Sequence, residues 1–191
     1  MVGVFGGSFD PIHHGHLLIA RVIAETLGLD QVRFVPAREQ PLKREGHRSS
    51  ATHRSAMVAL AVDDEPGFAL ESIELDRPGP SYTVDTLRAL REREPELDPV
   101  LLLGADAAAE LPRWKEGDAV LRLARVAVFT RAGIEAPVIP GIWRRVNVPA
   151  IEISATAIRA RARAGQSLRY WVPDAVAEYV AAHGLYRTGQ E

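Results

Sequence analysis

Apolar residues follow two different spacings along this chain. In Met1–Phe5, Val32–Val35, Pro99–Leu103 and Val126–Thr130 they form short continuous runs, as strands buried on both faces require. Between the first two runs, Leu17–Leu27 carries Ile19, Ala20, Ile23 and Leu27 at helical spacing, and Gly28 stands where that helix would end. Ser50–Val62 and Thr83–Arg93 read as further helices, the second stopped by Pro95, while Phe68–Leu75 has a looser strand pattern. After a strand at Val146–Val148, two closing helices are predicted. Ala155–Ala164 ends at Gly165, and Pro173–His183 opens on proline and ends at Gly184. No repeat, low-complexity tract or composition break divides the chain, so residues 1–191 are expected to form one domain.

Strands that alternate with helices predict an α/β fold, a single doubly wound, mostly parallel sheet with C-terminal helices, because right-handed crossovers place helices on both faces. Such sheets bind ligands beyond the carboxyl ends of their strands, where the strand order reverses. "GGSFDPIHHGHL" (6–17) follows the first strand and "GADA" (104–107) the fourth, so both loops are expected to face one crevice.

The first of these loops is suited to phosphate. Gly6 and Gly7 let backbone approach a ligand, Ser8 adds a hydroxyl, and the helix start offers unpaired N–H groups. His13 and His16, three apart, share a face at that helix start and can donate hydrogen bonds as charge develops on phosphoryl oxygens. Two plainer readings stay open: Asp10-Pro11 as a simple turn, and the histidines as metal ligands with Asp10 as a third. A second cluster lies in "ISATAIRARAR" (153–163). Ser154 is an expected N-cap, Thr156 sits in the first turn and Arg159 one turn later, which together make an anion site. Its plain alternative is a capped helix with a solvated arginine face, as Arg161 and Arg163 are read.

Composition narrows the setting. Hydrophobic residues are 47% and charged residues 25%, as in a folded soluble protein, and the net charge of −2 supplies no basic field for nucleic acid or an acidic membrane. There are no cysteines, hence no disulfide or thiolate metal site. No run approaches the ~18 apolar residues of a membrane span, and a strand starting at Val2 leaves no room for a signal peptide, so the cytoplasm is the expected location. Of the 23 Lys and Arg residues, only Lys43 and Lys115 are lysines.

The paired clusters resemble the HxGH and ISxTxxR signatures of the nucleotidyltransferase superfamily. Further segments resemble the bacterial nicotinate-nucleotide adenylyltransferases: "PAREQPLK" (36–43), "SYTVDTL" (81–87), "GADA", "LPRW" (111–114), "FTRAG" (129–133) and "SLRYWVPDAVAEYVAAHGLY" (167–186). The resemblance spans nearly the whole chain. It implies a Rossmann-like fold and an enzyme that joins the AMP moiety of ATP to nicotinate mononucleotide, releasing pyrophosphate. It further implies that His13, His16 and Arg159 are catalytic, that Gly7, Ser8, Phe9, Ser154, Thr156 and Arg131 contact ATP, and that Lys43, Thr83, Asp106 and Trp114 hold the mononucleotide. Trp114 would stack on the pyridine ring, with Tyr82 as packing and Lys115 solvated. Mg²⁺ would arrive on ATP, with no metal ligands of the protein's own.

Three positions depart from the usual pattern: Leu42 where a histidine is frequent, Ala155 where a second serine is frequent, and Ala132 where proline is frequent. The rival readings are a sister transferase acting on nicotinamide mononucleotide or phosphopantetheine, a dinucleotide-binding redox domain, and a non-catalytic nucleotide module. The missing G-x-G-x-x-G fingerprint counts against the redox domain. The sequence leaves open whether the chain forms a homo-oligomer.

Overall fold

Alternation within each strand builds two cores on one sheet. In β4 (Pro99–Gly104), Leu101 and Leu103 pack on one face while Val100 and Leu102 pack on the other, and all four are buried. The computed structural model describes residues 1–39, 47–131 and 139–187. Its other strands are β1 (Val2–Gly7), β2 (Gln31–Pro36), β3 (Phe68–Leu70), β5 (Arg125–Arg131) and β6 (Ile142–Val148). They form one six-stranded sheet of order β3-β2-β1-β4-β5-β6 in which every neighbouring pair is parallel, rather than mostly so.

One face is covered by α1 (His14–Leu27), α2 (Ala51–Val62), α6 (Ala155–Arg163) and α7 (Asp174–Ala182), whose buried side chains include Ile23, Met57, Ile158 and Val176. The opposite face is covered by α3 (Thr83–Arg93), α4 (Ala105–Glu110) and α5 (Gly117–Leu123) through Val84, Leu87, Ala108 and Val120. Each fully buried Val, Leu, Ile or Met among these contributes ~1.5–3 kcal/mol relative to exposure. The sheet order reverses between β1 and β4, so the loops after these two strands open onto a shared crevice.

Several boundaries differ from the sequence reading, each for a local reason. Helix α1 starts at His14 rather than Leu17, because His13 in extended conformation serves as its N-cap. Strand β3 stops at Leu70: the Glu71 N–H still bonds to Phe34, after which Ser72 and Leu75 form a turn. Strand β6 extends back to Ile142, where exposed Arg144 and Arg145 interrupt the apolar run at the sheet edge. Helices α4 and α5 have no Ser, Thr, Asp or Asn cap and are too short to show a periodic stripe, so the pattern did not predict them.

Candidate active site

Loop 8–13 leads from the end of β1 into α1, and its side chains stack inward. Phe9, with φ 47° and 2% exposed, stands edge-on to His16 at 5.1 Å between ring centroids and to Phe5 at 5.8 Å. Phe9 therefore supports the imidazole from below. His13 and His16 lie face to face, 3.7 Å between centroids. Gly15 leaves room for the His13 ring, since a Cβ there would fall 3.0 Å from His13 Nδ1.

The hydrogen bonds define the state of this pair. The backbone N–H of His13 donates to His16 Nδ1 at 3.3 Å, so in the neutral ring the proton of His16 sits on Nε2. His13 Nδ1 is buried with no hydrogen-bond partner among the described residues. Burial, reinforced by His14, lowers His13 to about 4, and burial with His13 nearby holds His16 well below its ordinary value. Near neutral pH the site presents two uncharged imidazole donors.

A consequence for stability follows. Unfolded His13 binds a proton at about 6.5 while the folded ring resists it down to about 4, so its contribution is complete above 6.5 and is lost as pH falls toward 4. Wild type should lose roughly 2 kcal/mol more than His13→Gln between pH 7 and pH 5. Urea unfolding at both pH values measures this, and equal losses in the two proteins would contradict the buried neutral ring.

Asp10 is the second organising residue. Its carboxylate accepts hydrogen bonds from Ser49 Oγ (2.6 Å), the Arg48 N–H (2.6 Å) and the Tyr186 hydroxyl (2.8 Å). Burial alone would raise its pKa, but these bonds and Arg159 outweigh burial and hold it below the ordinary carboxylate range. Its oxygens thus serve the protein's own donors. Among the described residues, no group of three His, Cys, Asp or Glu is arranged to hold an ion.

The Asp10 carbonyl joins the two clusters. Arg159 Nη1 donates to it at 2.8 Å, and Arg159 Nη2 donates to Thr156 Oγ1 at 3.1 Å. Ser154 caps α6 as expected, accepting from the Ala157 N–H at 3.2 Å. The start of α6 is thereby fixed beside the histidine loop: the Ile153 carbonyl lies 3.7 Å from where a Cβ on Gly15 would be. Two segments about 140 residues apart in sequence become one anion-binding face.

On the other side of Gly6 and Gly7 lies a cavity of about 530 Å³ at the carboxyl ends of β1, β2 and β4. Thr83 at the start of α3, Asp106 in α4 and Trp114 after Leu111–Arg113 line it, together with Tyr82, Arg113 and Lys115. Lys115, expected to be solvated, is exposed but ion-paired to Asp85 (2.9 Å) and placed over the Tyr82 ring at 4.8 Å. The Arg88–Glu116 pair (2.6 Å) fastens the same loop to α3. Lys43 lies outside the described residues, and Arg131 ends β5 with its side chain also outside them.

Buried Glu74, not singled out from the sequence, orders the α3 side of the cavity. It accepts from Thr86 Oγ1 at 2.7 Å, and burial raises its pKa despite hydrogen bonds from Thr86 and Ser81. Asp10 and Glu74 are both short acidic residues in turn-rich sequence, where nothing distinguishes a buried carboxylate from a solvated one.

Comparison with known proteins identifies the family and the fold. The pattern of the cytidylyltransferase-like family matches residues 4–161. A protein of Roseiflexus sp. (strain RS-1) named "Probable nicotinate-nucleotide adenylyltransferase" is 47% identical over 97% of this chain and 98% of its own. One of the same name from Thermus thermophilus is 47% identical over 97% of this chain and 99% of its own. Among solved structures, the Plasmodium falciparum nicotinic acid mononucleotide adenylyltransferase complexed with NaAD superposes with a TM-score of 0.78 at 18% identity, covering 97% of this chain and 96% of that one. At that identity the likeness is one of fold.

Proposed function

The chain belongs to the cytidylyltransferase-like family and, more narrowly, to the nicotinate-nucleotide adenylyltransferases, and from that membership we propose how its anion-binding face and its cavity share the reaction. The enzyme joins the AMP moiety of ATP to nicotinate mononucleotide, giving nicotinate adenine dinucleotide and pyrophosphate, in NAD biosynthesis. The assignment of roles rests above all on the Arg159 hydrogen bond to the Asp10 carbonyl, which brings the α6 cluster to the histidine loop at the rim of the cavity.

ATP lies along the anion-binding face. Gly7, Ser8 and the Phe9 backbone approach its phosphates, His13 and His16 donate to the oxygens of the phosphorus under attack, and Ser154, Thr156 and Arg159 hold the β- and γ-phosphates. Mg²⁺ would be carried by ATP, with waters and substrate phosphates as its ligands, and would supply charge neutralisation there. The mononucleotide occupies the cavity. Trp114 stacks on the pyridine ring, Thr83 and the free N–H groups at the start of α3 take its carboxylate, and Asp106 contacts the nucleoside.

The acceptor's 5′-phosphate, with a second pKa of about 6, is already ionised near neutral pH and needs no general base. One of its oxygens attacks the α-phosphorus in line, the bond to the β-phosphate oxygen breaks, and pyrophosphate carries away the electron pair. Placement and charge stabilisation supply the acceleration, and no protein nucleophile takes part.

Trp114→Ala is expected to raise KM for nicotinate mononucleotide about tenfold, as loss of a ring face for a pyridinium predicts, while KM for ATP changes less than about threefold. Initial rates of pyrophosphate release, with nicotinate and nicotinamide mononucleotide and phosphopantetheine offered separately, test the assignment. Preference for the acid, weakened in Trp114→Ala, supports it; equal use of another acceptor would overturn the contents of the cavity.

A further inference from the structure

Arg54 heads the fully buried side chains, at 0% exposure, on a helix whose other buried residues, Met57, Val58, Ala61 and Val62, are apolar. A guanidinium in such a place is costly unless its donors are satisfied. Arg54 forms no ion pair with a carboxylate among the described residues; Asp10 and Glu74 act on it only at longer range. Its two terminal nitrogens are instead given to two carbonyls, Nη1 to Ser8 at 2.9 Å and Nη2 to Arg38 at 3.2 Å, while Nε is buried with no hydrogen-bond partner among the described residues.

Those carbonyls belong to different substrates' walls. Ser8 lies in the loop that carries the histidines. Arg38 follows β2 and is bound to the acceptor side: its N–H donates to Ser81 Oγ at 2.9 Å, and the Ser81 N–H donates to the Glu39 carbonyl at 2.9 Å. Ser81 leads directly into Tyr82 and Thr83 on the cavity wall. A single rigid fork therefore spans from the nucleotide loop to the acceptor loop, from beneath both.

We propose that Arg54 is a positioning residue that sets the separation of the two substrate-binding loops and hence the in-line approach of the acceptor phosphate to the α-phosphorus of ATP. The inference rests on the adenylyl-transfer reading above. Its signature is a fall in turnover without a matching loss of either substrate, because each wall stays intact and only their relation changes. Lysine, a point charge on a flexible stem, cannot hold two carbonyls in one plane as the guanidinium does.

The test compares wild type with Arg54→Lys, and with Ser81→Ala, which cuts the same strut at its far end while leaving Arg54 in place. For Arg54→Lys, kcat should fall about 10²-fold, as a displacement of about 1 Å between reactants can cause, while Kd for each substrate measured alone stays within about threefold. Ser81→Ala should give the same split at about fivefold. Arg54→Lys with wild-type kcat, or losses of Kd that account for the whole decline, would overturn the proposal. If Arg54→Lys does not fold, Ser81→Ala decides: unchanged kcat in that variant overturns it. Failure of wild type to form dinucleotide from ATP and nicotinate mononucleotide would instead remove the underlying reading.

Discussion

Replacing His16 with alanine is expected to lower kcat about 10²–10³-fold and to leave KM for nicotinate mononucleotide within about threefold, because the interaction it removes strengthens only as charge builds on the transferring phosphoryl group. The orientation of this ring is fixed from several sides. The His13 N–H holds Nδ1, the His13 ring covers one face at 3.7 Å, and the edges of Phe9 and Phe5 confine it at 5.1 and 6.2 Å. A donor held this way loses little order when the reaction reaches its transition state, which is how a neutral imidazole comes to matter in a site full of anionic phosphate. His16→Asn, which retains a donor at a different reach, should recover only part of the rate. A rise in KM at constant kcat would mean that the ring contributes to ground-state binding alone.

Arg159→Ala should cost about 10³ in kcat/KM for ATP, since a charge-assisted contact to the leaving group is lost. Pyrophosphate should also become a weaker product inhibitor, by about tenfold or more, because the same guanidinium holds it after the bond breaks. Arg159→Lys is expected to restore little. The present geometry uses both terminal nitrogens at once, one on the Asp10 carbonyl and one on Thr156 Oγ1, and an ammonium cannot reproduce that plane. Steady-state kinetics with pyrophosphate as inhibitor reads both effects. Unchanged pyrophosphate inhibition in Arg159→Ala would remove this residue from the leaving-group side.

The parts of the site that were legible in sequence are those whose local chemistry is unusual. Two histidines three apart after a glycine pair, and a Ser-x-Thr-x-x-Arg helix start, pointed to an anion site by residue type and spacing, each beside a plainer local alternative. The adjacency of the loops after the first and fourth strands followed from the alternating strand and helix pattern, whereas the meeting of the α6 start with the histidine loop rests on the long-range Arg159 bond to the Asp10 carbonyl. What was hidden depends on long-range burial. Arg54 sits on a helix whose pattern reads as ordinary, and only the loops above it, from residues 8 and 38, turn its position into a buried one. Tyr186 lies far along the chain from the Asp10 that it bonds, a pairing that no local pattern encodes. Helices α4 and α5 follow from how the chain packs on the sheet between β4 and β5, with Gly117 admitted where a Cβ would meet the Leu111 carbonyl at 2.4 Å. The reach of Lys43 and of the Arg131 side chain lies outside the described residues.

The most direct test uses one diastereomer of ATP carrying sulfur on the α-phosphorus, incubated with nicotinate mononucleotide and the wild-type enzyme. A single in-line displacement by the acceptor phosphate predicts nicotinate adenine dinucleotide of inverted configuration at that phosphorus, formed together with pyrophosphate and suppressed in His16→Ala. Retained configuration would require two displacements through an adenylylated protein side chain, and would contradict a site whose histidines and arginine only orient and stabilise.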